Sequence, residues 1–322
     1  MRFAPVADRT VLKQTAVSQA GRRPSQFSLA RVTAVLFAVL VLVSGSFARA
    51  EPASAAPAAH AQRPLRWDFP TFRPAEYVAT GALGAAAIGV FVLAGPQRSP
   101  RWTGGILFDD SVRDAVRVRS PVARDRIRLF SDITGVSSLV WLLGVDSLLV
   151  PLWRGSSQVA LQLLLLDAEA FALNGVLTSS MFYLSGRARP SYADCQRDSR
   201  FDPLCNPRDT ASFWSGHTAL AFTAAGLSCA HHAYVKLYGG GAPDTLACAG
   251  AIGLSATTGT LRLLGDRHYA SDIFAGALVG FGIGYAVPTL LHYTQGSGEG
   301  RRVGIAVGPV ERGVGVSAVG GF

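Results

Sequence analysis

The chain has 322 residues, 49% of them apolar and 16% charged, a balance that excludes an ordinary soluble domain and favours a protein of the membrane or beyond it. Arginine dominates the net charge of +9, without a Lys-rich run, zinc-finger spacing or aromatic-interleaved basic motif, so nucleic acid is excluded as a partner. The length suits one folded domain with a targeting segment and tails.

Residues 1–30 are basic, and Arg31 leads into an apolar run over residues 32–43, followed by Ala48-Arg49-Ala50. This order reads as an export signal cleaved after Ala50, or as an N-terminal anchor that is retained. Residues 51–66 are rich in Ala and Pro without periodicity and predict a linker. The folded domain is expected over residues 67–293.

Apolar stretches then recur near residues 76–95, 131–153, 157–184, 216–238, 243–264 and 271–293. Each has roughly the 20 residues that cross a bilayer as a helix. The fold class this predicts is all-α, a six-helix transmembrane bundle. Asp167 and Glu169 fall inside the third stretch and should face the bundle interior, as partners of a nearby Arg. His231 and His232 read as interfacial, and Trp214 and Tyr269 as packing residues.

Cys195 and Cys205 stand in a polar segment without zinc-ligand spacing, and predict either a disulfide outside the cytoplasm or two free thiols. No metal site is expected. Between residues 96 and 130 lie eight arginines, at positions 98, 101, 113, 117, 119, 124, 126 and 128. By the positive-inside rule they point that loop to the cytoplasm, against the export leader. Interspersed acids such as Asp109, Asp110, Asp114 and Asp125 suit an amphipathic helix on the membrane surface. The tail, residues 294–322, is Gly-rich with alternating Val, and predicts either a short hairpin or a mobile tail.

Three polar clusters interrupt the apolar background, each at a helix end. Gly186-Arg187-Ala188-Arg189-Pro190 closes the third stretch, and guanidinium groups hold phosphate oxygens bidentately. Ser212-Phe213-Trp214-Ser215-Gly216-His217-Thr218 opens the next, where unpaired backbone N–H groups and the helix dipole favour an anion. Arg262, His268 and Asp272 span the last junction, with His268 and Asp272 four residues apart and so on one helical face.

These clusters resemble the Lys-x6-Arg-Pro, Pro-Ser-Gly-His and Ser-Arg-x5-His-x3-Asp motifs of the type 2 phosphatidic acid phosphatase and vanadium haloperoxidase superfamily, over residues 75–293. The resemblance implies a metal-independent phosphatase that acts on a lipid phosphate monoester or pyrophosphate through a phosphohistidine. On it, His268 is the nucleophile, Asp272 orients it, and His217 is general acid and then base. Arg189 and Arg262 clamp the phosphate, with Ser215 and the Gly216 amide on the same group. Neither cofactor nor metal is implied, because arginines and helix-end amides supply the positive charge. The partners implied are a phosphorylated lipid and the bilayer, with the site facing the periplasm from a bacterial inner membrane.

The chain departs from the pattern at Phe182 in the lysine position, Trp214 before Ser215 and Leu261 before Arg262. Arg187 is the expected substitute for the lysine. Two other readings stay open: a membrane protein that binds phosphate or lipid without turnover, and a periplasmic acid phosphatase or haloperoxidase relative.

Overall fold

A computed structural model describes residues 64–94, 97, 99–206 and 209–295, together with the backbone of residues 303–310 and 313–320. The expected export signal or anchor at residues 1–50, and all but the end of the linker, lie outside the described residues.

The architecture is helical. Helix α1 (Pro74–Gly89) opens on Pro74, runs on as a π-helical turn to Ala94, and is apolar and outward-facing. A short helix, α2 (Asp109–Val116), precedes α3 (Pro121–Leu139), which continues through a π-helical stretch (Val140–Leu149) into the short α4 (Val150–Trp153). Ser120 caps α3, and Pro121 stands at its first turn, where a missing N–H costs nothing. The long α5 (Ser157–Ser185), the short α6 (Tyr192–Arg197), α7 (Gly216–Tyr234), α8 (Ala242–Leu264) and α9 (Ala270–Leu291) complete the domain. An antiparallel hairpin of β1 (Val303–Val310) and β2 (Gly313–Gly320) follows.

Among the described residues, each of the six apolar stretches is thus occupied by a long helix. Four of them, Pro74–Ala94, Pro121–Trp153, Ser157–Ser185 and Ala270–Gln295, are long and apolar enough to cross a membrane. Helix α3 begins ten residues before the expected apolar stretch. Its first turns are polar because Arg124 and Arg128 point inward, where both pair with Asp202 at 2.7–2.9 Å. Arg113 likewise pairs with Asp194 and Asp266, and Arg117 with Asp194. Half of the arginines in that segment are therefore held in internal ion pairs, and α2 turns Asp109 and Arg113 into the protein while Asp110 and Asp114 stay exposed.

Helix α7 is the centre of the bundle and packs most closely on α9. Gly276, Gly280 and Gly284 of α9 lie on the backbone of α7: a Cβ at Gly276 would stand 2.7 Å from the Ser215 carbonyl. One at Gly226 of α7 would meet the Phe281 carbonyl at 2.6 Å. Small residues at this spacing let two helices approach until their backbones touch. The contact aligns the start of α7 with the start of α9.

At the far end of α7 the polar residues are paired. His231 meets Asp167 at 2.9 Å and the Tyr293 hydroxyl at 2.7 Å, His232 meets Asp244 at 2.6 Å, and His292 meets Glu169 at 2.9 Å. The expectations of Arg partners for Asp167 and Glu169, and of interfacial positions for His231 and His232, are corrected: all four are buried. Burial of a carboxylate demands a hydrogen-bonded partner, and histidine supplies it.

Candidate active site

Helix α5 ends on Gly186, whose φ of +52° is a left-handed stop that turns the chain at once into Arg187 and Arg189. Ser215 caps α7, its hydroxyl accepting from the Thr218 N–H and hydroxyl. The Asp272 carboxylate accepts the Tyr269 N–H at 2.9 Å and so fixes the start of α9. Three helix ends, each with its own local signal, deliver the three clusters to one end of the bundle.

His268 is buried between them. Its Nδ1 lies 2.8 Å from the Ser212 carbonyl and its Nε2 3.1 Å from Nη1 of Arg189. A carbonyl only accepts and a guanidinium only donates, so the proton belongs on Nδ1 and the lone pair on Nε2. Burial, then the charges of Arg189 and Arg262, hold the His268 imidazole well below its usual 6.5, in the neutral form.

Arg189 also donates to the Arg267 carbonyl at 2.8 Å and pairs with Asp209 at 2.6 Å. Asp209 pairs in turn with Arg267 at 3.0 Å. Burial would raise Asp209, but Arg189 and Arg267 hold it down at about 2. A cavity of about 430 Å³ is lined on one side by Arg189, Gly216, His217 and His268.

Asp272 does not reach His268 by a hydrogen bond: its Oδ2 is 3.8 Å from Nδ1, and accepts instead from the Ser212 hydroxyl at 2.7 Å. Since Ser212 also supplies the carbonyl that holds His268, the carboxylate acts on the imidazole through one intervening residue. This corrects the expectation of direct contact. The cause is Arg187, which takes the other carboxylate oxygen at 2.5 Å.

Arg187 itself is not at the cavity. It is fully buried, bonded to Asp272 and to Asp109 at 2.8 Å, and sandwiched between the rings of Trp102 at 3.9 Å and Tyr269 at 4.2 Å. Its role as the substitute lysine is therefore corrected to a structural one, because both terminal nitrogens are already committed to carboxylates. Phe182, in the lysine position, does line the cavity and packs on Gly216, where a Cβ would come within 3.0 Å of the ring.

Asp132 on α3 was missed by sequence reasoning. It forms an ion pair with Arg262, and the same oxygen stands 3.4 Å from Nε2 of His217. The available signal was an acid at the edge of an apolar stretch, of the kind noted for Asp167. Cys195 and Cys205 are bonded, with Cα atoms 5.4 Å apart. So are Cys229 of α7 and Cys248 of α8.

The helical fold thus brings His268, His217 and Arg189 around one cavity. Residues 163–295 match the family model described as PAP2 superfamily. The lipid A 1-phosphatase of Porphyromonas gingivalis is 32% identical over 152 residues, 47% of this chain and 29% of that protein. The chain thus matches less than a third of that relative's length. The crystal structure of the first transmembrane PAP2 type phosphatidylglycerolphosphate phosphatase from Bacillus subtilis aligns with a TM-score of 0.42 at 17% identity, over 66% of this chain and 94% of that one.

Proposed function

We propose that the chain is a metal-independent phosphatase of a membrane lipid phosphate, working through a phosphohistidine on His268. The observation that carries this reading is the orientation of His268: Nδ1–H is tied to the Ser212 carbonyl while Nε2 faces Arg189 at the cavity. A neutral imidazole so held is a nucleophile aimed at an anion site. The named activity of the lipid A 1-phosphatase relative supports the reaction class.

In the first step Nε2 attacks phosphorus and the bond from phosphorus to the lipid oxygen breaks, that oxygen taking a proton from His217. In the second, His217 takes a proton from water, the resulting hydroxide oxygen bonds to phosphorus, and the phosphorus–nitrogen bond breaks to release inorganic phosphate. Arg189 stabilises the phosphoryl oxygens throughout, with the Gly216 amide, while Arg262, paired with Asp132, adds its charge from behind the cavity wall. Asp272, 3.8 Å from Nδ1, offsets the charge that appears on the imidazole once Nε2 is phosphorylated. Burial, then the charges of Arg189 and Arg267, push the His217 imidazole down to about 4, and Asp132, 3.4 Å from its Nε2, is the carboxylate placed to oppose them when the leaving group needs a proton.

The reading includes a site outside the cytoplasm. The Cys195 to Cys205 disulfide supports it. The opposing signal is weakened, since Arg113, Arg117, Arg124 and Arg128 are held by Asp194, Asp202 and Asp266 rather than left for an anionic membrane surface.

The second reading, phosphate or lipid binding without turnover, draws on Phe182 in place of the lysine. Phosphate release from lipid phosphates by purified protein, abolished by His268→Ala, supports the enzyme; equal release from both removes it.

A further inference from the structure

The cavity beside His268 has a second wall that the chemistry above does not use. Val90 and Phe91, in the π-helical end of α1, face Phe182 of α5 and Leu220 of α7, with Ser179 the one polar side chain among these residues. Phe91 is 62% exposed, and the turn after it, Val92 and Leu93, is more exposed still, so the wall runs outward onto the apolar face of a helix fit to lie in a membrane. Helix α1 is docked mainly on α5, where Gly175 lets Ala87 come close, and it leaves the side toward α7 open.

Phe182 sits where this wall meets the phosphate position, on the backbone of Gly216. A lysine there would add a cation; the ring adds hydrocarbon. Arg262 is already paired with Asp132 and Arg187 is buried behind the site, so Arg189 is the guanidinium among these three that lines the cavity.

We infer that Phe182, with Phe91, Val90 and Leu220, is a chain-binding subsite that makes this a site for lipid monophosphates drawn sideways from the bilayer between α1 and α7. Resting on the proposed phosphatase reading, the inference names its substrate as one phosphate attached to hydrocarbon that starts within a few bonds of phosphorus. A pyrophosphate would bring further negative charge to a wall whose described residues, Val90, Phe91, Ser179, Phe182 and Leu220, include no cation to meet it.

The test is hydrolysis of soluble alkyl phosphates of increasing chain length by the full chain in detergent, with Phe182→Ala and Phe91→Ala alongside. Phe91→Ala changes an exposed residue and keeps the test valid should Phe182→Ala fold poorly. Wild type is expected to gain roughly fourfold in kcat/KM per added methylene while the chain fills the wall, and both variants to lose most of that slope. A flat wild-type profile, or one slope shared by all three proteins, overturns the inference and leaves the phosphatase reading intact. Absence of phosphate release at every chain length removes both together.

Discussion

The Asp132 carboxylate of α3 is shared between Arg262 of α8, in an ion pair, and His217 of α7, 3.4 Å from the same oxygen. A helix outside the matched residues 163–295 thereby reaches into the site.

Replacing that carboxylate tests whether it serves the proton donor. Asp132→Asn keeps the shape and removes the charge, leaving Arg262 uncompensated and the His217 proton less favoured. The expected result is a kcat lower by about tenfold to a hundredfold, measured as steady-state phosphate release. Unchanged kcat would place Asp132 outside the mechanism.

Arg187→Lys separates structure from chemistry. The guanidinium holds Asp109 and Asp272 without access to solvent, and a lysine cannot reproduce the fork or the stacking on Trp102 and Tyr269. Breaking one partner of a buried pair costs about 3–5 kcal/mol, so the thermal midpoint should fall by several degrees or more. A variant of native stability but weakened binding of inorganic phosphate would return Arg187 to the anion site.

Burial and neighbouring arginines depress His268, so its neutral form persists below pH 6.5. Carbethoxylation reads the neutral imidazole directly. Its pH midpoint, taken as the difference between wild type and His268→Ala, should lie below 6.5, the value of an unperturbed histidine. The sign extends to stability: protonating a group held neutral in the fold is unfavourable, so this contribution is lost as pH falls below 6.5. A midpoint at or above 6.5 contradicts the environment described.

Much of the fold was legible because apolar stretches of membrane length announce themselves, and each became a long helix. The start of α3 was not, because Arg124 and Arg128 look like surface residues until Asp202 is placed beside them. The three clusters were found by residue type at helix ends. Within the first cluster, sequence could not divide the labour between Arg187 and Arg189, two residues apart: which one turns to the cavity depends on the left-handed stop at Gly186 and on Asp109, distant in sequence. Asp132 and the His231, His232 and His292 pairs escaped for the same reason, since their partners lie on other helices.

The Cys195 to Cys205 bridge closes a ten-residue separation between α6, which carries Asp194, and the loop that carries Asp202. Its removal by Cys205→Ser should lower stability by about 2–3 kcal/mol, read as a reduced thermal midpoint under oxidising conditions. Identical midpoints for variant and wild type would show that the ion pairs hold the loop unaided.

The most direct measurement is the site of covalent phosphate during turnover. Rapid quenching of the protein with a labelled lipid monophosphate, followed by mapping under alkaline conditions that preserve phosphohistidine, should place the phosphoryl group on His268, with none in His268→Ala. Turnover with a label on another residue, or undiminished phosphate release by His268→Ala, would contradict the account.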